Sequence, residues 1–162
     1  MKEIIVGIGE TGVLSGEGKV LQTGPLGAGV AVVVLDAPSR TAGLVHIALP
    51  ASKSETDKIE SYPGTFADTA IPALMEALAQ TGLSRDPEEY TVKLVGGANV
   101  MDRSGAFDLG ARNVEAVRRI LAEHNLQIET EKTGGRFSRS VKVYVDSSLV
   151  ELIFPSRDTE FI

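Results

Sequence analysis

Two apolar runs stand close together in the first third of the chain. Residues 30–35 read Val-Ala-Val-Val-Val-Leu, and residues 42–49 read Ala-Gly-Leu-Val-His-Ile-Ala-Leu. Gly27 and Gly29 precede the first run, Asp36 and Pro38 end it, and Pro50 closes the second. Short continuous runs rich in Val and bounded by Gly, Pro and Asp predict buried strands. Paired in one sheet, these strands bring the Gly-rich turn at 26–29 beside His46, a tight backbone bend next to a proton-transfer group.

Two other stretches carry a helical period. Within residues 66–80, Ala70, Ile71, Leu74, Ala77 and Leu78 fall on one stripe. Asp68 or Thr65 is the expected cap, Gly82 the stop, and Pro72 requires a place in the first turn. Within residues 111–124, Val114, Val117, Ile120 and Leu121 form the stripe, Glu115, Arg118 and Arg119 face water, and Asn125 suits a left-handed cap.

Further strands are expected at 3–8, broken by Gly7, Gly9 and Gly12, at 20–21, and at 90–95, ended by Gly96-Gly97. Residues 126–131 and 141–145 alternate apolar with polar, and 149–154 follows a turn. These last three predict a C-terminal group of antiparallel hairpins with one wet face. Loops are expected at 51–64, 84–89 and 99–108. Two helices and seven or eight strands make an α/β fold, a single domain over residues 1–162.

Composition narrows the function more than the fold. The chain is 43% hydrophobic and 23% charged, ordinary for a soluble domain. Its net charge of −6 gives no electrostatic drive toward nucleic acid. Cysteine is absent, which excludes disulfides, Cys–zinc sites and a thiol nucleophile. The longest apolar run, residues 28–35, is far too short to span a membrane, and the N-terminus turns Gly-rich too early for a signal peptide. A cytoplasmic protein is the expectation. The two histidines, His46 and His124, lie far apart in the chain, so neither metal nor cofactor is expected.

His46 reads by itself as a strand histidine packed near the core, and His124 as a helix C-terminal residue suited to the local dipole. Gly96-Gly97 and Thr133-Gly134-Gly135 have the backbone N–H groups to cradle phosphate, but neither these nor Gly7-x-Gly9 has a nucleotide-binding pattern. Strand-ending turns explain them. Arg112, Arg136 and Arg139 read as ordinary surface arginines.

A set of ordered motifs changes the weight on His46. Thr23, Leu26-Gly27, Val30 and His46-x-x-Leu49-Pro50 stand where the chemoreceptor glutamine deamidases (CheD) have a Thr, a Leu-Gly-Ser-Cys-Val run and a His-x-x-Leu-Pro run, and the chain resembles that family. Val6-Gly7-Ile8-Gly9-Glu10, Ala67-Asp68-Thr69-Ala70, Gly96-Gly97-Ala98, Gly110-Ala111-Arg112-Asn113-Val114 and Thr133-Gly134-Gly135 with Arg139-Ser140-Val141 match further family motifs in order. The resemblance implies a sandwich of β-sheets with helices outside. It implies conversion of receptor glutamines to glutamates, and hydrolysis of receptor methyl esters, by an attacking Cys thiolate, a proton-shuttling His and a supporting Thr. It also implies chemoreceptor helices and the chemotaxis phosphatase CheC as partners.

Carried over by position, the roles fall on Thr23 and His46, with Gly29 in the place of the nucleophilic Cys and Ala28 in that of the preceding Ser. Both residues of the turn differ from the family, which favours natural divergence over a single deliberate change. Backbone N–H groups near Gly29 remain able to form an oxyanion hole. In a serine protease, such residual features alone give roughly 10³–10⁴-fold acceleration over water, so little or no turnover is expected. The expectation is a chemotaxis pseudoenzyme that acts by binding. The alternatives are an active amidohydrolase using Thr23 and a small-ligand or phosphate binder using the glycine turns.

Overall fold

Strands β4 (Val30–Asp36) and β5 (Thr41–Ile47) are buried along their whole length. Both faces of their sheet are covered, which is why they read as continuous apolar runs rather than alternations. The computed structural model describes residues 2–52, 61–101, 104, 105 and 107–162. The strands in chain order are β1 (Lys2–Val6), β2 (Thr11–Ser15), β3 (Lys19–Thr23), β4, β5, β6 (Thr91–Gly96), β7 (Ile128–Thr133), β8 (Ser140–Tyr144), β9 (Leu149–Ile153) and β10 (Thr159–Phe161). Helix α1 (Ala67–Ala79) lies between β5 and β6, and α2 (Leu109–Glu123) between β6 and β7.

The strands form two five-stranded sheets, ordered β1-β3-β8-β9-β10 and β2-β5-β4-β6-β7. One core fills the space between the sheets, with Leu21, Val141, Val143 and Leu152 from the first meeting Ala31, Val33, Ala42 and Leu44 from the second. A second core lies on the outer face of the second sheet, where Val32, Val34, Val45 and Leu94 meet Ile71 and Leu74 of α1 and Val117 and Leu121 of α2. The result is the expected α/β sandwich, with both helices on one side.

Several elements depart from the sequence expectation. Gly12 lies inside β2 instead of breaking a strand. A Cβ there would lie 2.8 Å from Val6 Cγ2 and 3.0 Å from Leu21 Cδ2, so the glycine permits close sheet-to-sheet packing. Counting β2 and β10, ten strands form among the described residues. β7 pairs parallel with β6 across α2 and so belongs to the second sheet. Only β8, β9 and β10 make the antiparallel C-terminal group.

Pro72 sits past the first turn of α1, and the N–H it lacks would have met the Asp68 carbonyl. Both residues are exposed, so water can satisfy that carbonyl. Neither Asp68 nor Thr65 caps the helix. The N-cap is Phe66, and the Ala67 N–H donates to the Leu49 carbonyl at 3.0 Å. Asn125 takes the expected left-handed conformation, with φ of 58°. Residues 53–60 of the expected loop lie outside the described residues, and 63–65 form a single 3-10 turn.

Candidate functional site

Strand periodicity brings the three sequence-derived residues to one place. Gly29 continues the face of β4 that carries Ala31 and Val33 into the inter-sheet core. His46 shares a face of β5 with Ala42 and Leu44, and its register partner on β4 is Ala31. Thr23 shares a face of β3 with Leu21 in the opposite sheet. All three therefore face the space between the sheets at the same end.

Gly29 and His46 are in direct apposition. A Cβ built on residue 29 would lie 2.9 Å from His46 Nε2 and 3.1 Å from the Ile47 carbonyl oxygen. The imidazole thus packs into space that a side chain at 29 would claim. His46 is 5% exposed, and its Nδ1 is buried without a hydrogen-bond partner. Burial lowers its pKa from the ordinary value, because desolvation penalises the charged ring, so the imidazole is neutral at pH 7.

Thr23 is also buried, and its Oγ1 accepts a hydrogen bond from the Val141 N–H at 3.1 Å. No described hydrogen bond joins Thr23 to His46. The Thr23 hydroxyl proton and His46 Nδ1 both remain uncommitted on the same side of the sandwich.

The motif segments surround this pair, each through backbone contacts. The Gly9 N–H donates to the His46 carbonyl at 2.9 Å, and the His46 N–H donates to the Glu10 carbonyl at 3.3 Å. Leu49 accepts from the first turn of α1. Gly97 N–H donates to the Gly29 carbonyl at 2.9 Å and Ala98 N–H to the Gly27 carbonyl at 2.8 Å. Gly110 of α2 packs directly on the Gly97 and Ala98 carbonyls, an approach any Cβ would block. Gly134 N–H donates to the Gly96 carbonyl at 3.0 Å. Leu26 and Arg139 exchange backbone bonds of 2.7 and 3.2 Å, while the Arg139 guanidinium holds the carbonyls of Lys132, Gly134 and Phe137. The glycine turns are thus laced to one another. None of the described hydrogen bonds is donated by the N–H groups of Gly27, Ala28 or Gly29.

Two features escape sequence reasoning. Asn113 sits on α2 with no exposed surface, and its Nδ2 donates to the Ala28 and Ala48 carbonyls at 3.0 Å each. Its presence inside a matched motif was the available signal. Beside the site lies a cavity of about 290 Å³ lined by Leu49, Pro50, Ala51, Phe66, Phe107, Leu109 and Arg112. Arg112 stacks over Phe107 at 4.8 Å, and Met101 nearby in the chain is 90% exposed. Of the three arginines read as surface residues, Arg139 is buried. Among the described residues there is no cluster of three metal-ligating side chains, and no helix is long and apolar enough to cross a membrane.

Comparison with known proteins finds the same family that the motifs resemble. The family described as CheD chemotactic sensory transduction matches residues 48–152. A probable chemoreceptor glutamine deamidase CheD of Syntrophotalea carbinolica is 39% identical over 157 residues, covering 97% of this chain and 97% of its own. The chemoreceptor glutamine deamidase CheD of Thermotoga maritima is 37% identical, covering 91% of this chain and 88% of its own. A probable relative from Haloarcula marismortui is 36% identical, with 99% of this chain and 89% of its own covered.

Proposed function

The chain belongs to the CheD family, and from that premise we propose that it is a cytoplasmic chemotaxis protein that binds chemoreceptor helices at a deamidase-type site without hydrolysing their glutamines. The observation that carries this reading is the apposition of His46 Nε2 to residue 29, a glycine. A neutral imidazole within reach of that position is a general base in place. Glycine has no atom for it to activate, and Ala28 supplies none. The chain has no thiol elsewhere.

Thr23 does not fill the gap. Its hydroxyl is buried and already accepts from Val141, and a hydroxyl is a poorer nucleophile than a thiolate. The N–H groups of Gly97 and Gly134 are committed to the Gly29 and Gly96 carbonyls, which argues against a phosphate cradle at those two turns.

Binding does not need the thiol. The cavity formed by Leu49, Phe66, Phe107 and Leu109 offers apolar surface next to the site, and an amphipathic receptor helix has the matching apolar stripe. CheC is the second expected partner. Titration calorimetry with a helical receptor fragment and with CheC, each at high micromolar concentration, tests this. Heat of binding with unchanged partner mass supports the reading, and absence of heat with both contradicts it.

A further inference from the structure

Asn113 is the only polar side chain among the buried residues of α2. It is set into a helix whose grip on the sheet comes from Val114, Val117, Ile120 and Leu121. Its two Nδ2 hydrogens are divided between two carbonyls, Ala28 and Ala48, that are far from it and from each other in sequence. Ala28 immediately precedes Gly29, and Ala48 lies two residues beyond His46. We propose that Asn113 is a positioning residue that sets the separation of the Gly29 turn from the His46 strand.

Three observations favour this over a general packing role. The side-chain oxygen Oδ1 is buried with no partner, so the side chain's described polar contacts are made by its donors alone. Only a carboxamide at this reach places two donors on one atom. Asp offers none when ionised, Ser one, and Leu none. Gly110, one turn earlier, seats the helix against Gly97 and Ala98, so the Asn113 side chain is delivered to the same backbone junction that holds Gly27 and Gly29.

The inference rests on the reading that Gly29 and His46 form the site, and the experiment separates the two. The chain has two histidines, so imidazole NMR of the otherwise unaltered protein reports His46, with His124 at the far end of α2 as an internal control. In Asn113→Leu the His46 ring signals should move and its pKa should rise toward the ordinary value as the strand end loosens and water enters, while His124 stays unchanged. Asn113→Ser, which is smaller and keeps one donor, should give a smaller shift and replaces the Leu variant if that fails to fold. In a Gly29→Cys background, either Asn113 variant should move the pH profile of thiol alkylation toward that of an ordinary cysteine.

Unchanged His46 signals and an unchanged alkylation profile in a folded variant would overturn the proposal. A Gly29→Cys thiol indifferent to His46→Ala would instead remove the site reading, and the His46 signals would still decide the role of Asn113.

Discussion

Residue 29 is a glycine whose Cβ position would lie 2.9 Å from His46 Nε2, and the residues around it keep measurable consequences of that arrangement. His46 is buried and its pKa is lowered from the ordinary value of about 6.5. The unfolded chain therefore binds the proton more readily than the folded one. Stability contributed by the neutral ring is present above about pH 6.5, declines as pH falls toward the lower folded-state value, and levels off below it. Urea unfolding from pH 8 to pH 5 should show this decline in the natural protein and a shallower one in His46→Gln. Equal slopes would mean that the ring is solvated. Thr23→Val keeps the shape and removes the acceptor for the Val141 N–H. Leaving that buried donor unpaired should cost about 1–3 kcal/mol, read as a lower urea midpoint, and an unchanged midpoint would contradict the assigned bond. His46 and Thr23 were legible in the sequence because ordered motifs framed them. Asn113 was not, because a lone Asn in a helix reads as a solvent-facing position until its distant carbonyl partners are known.

The elements around the site are held by backbone contacts more than by caps or side-chain clusters. Gly110 shows how strictly. Gly110→Ala should gain about 1 kcal/mol in helix propensity. The added Cβ, however, collides with the Gly97 and Ala98 carbonyls, which as backbone cannot swing aside. Overpacking of this kind costs about 1–3 kcal/mol, so the variant should be less stable by urea titration, and a net gain in stability would show that α2 is not seated there. Strands β4 and β5 were plain in the sequence because coverage on both faces writes a continuous apolar run. β2 was hidden because Gly12 answers to the opposite sheet rather than to strand propensity. β7 was recognisable as a strand but not as a partner of β6, since alternation records a wet face and not a neighbour. The start of α1 was misread for a related reason: its first N–H is met by the carbonyl of Leu49, a residue far back in the chain.

On the scale of the whole molecule, two sheets and an outer helical layer converge their loops on one end, where five separate motif segments meet the Gly29 turn and the His46 strand. On the proposed reading, this end is the surface a receptor helix occupies. The most direct test of the account is mass spectrometry of a receptor fragment carrying substrate glutamines after incubation with the protein, each conversion appearing as the small mass gain of amide to acid. The natural chain should produce none. Gly29→Cys combined with Ala28→Ser should produce some, though less than a native enzyme, because the imidazole must withdraw from the 2.9 Å approach to the new Cβ and misplacement of reacting atoms by about 1 Å can cost on the order of 10²-fold. Conversion by the natural chain that disappears in His46→Ala or Thr23→Ala would contradict the account outright.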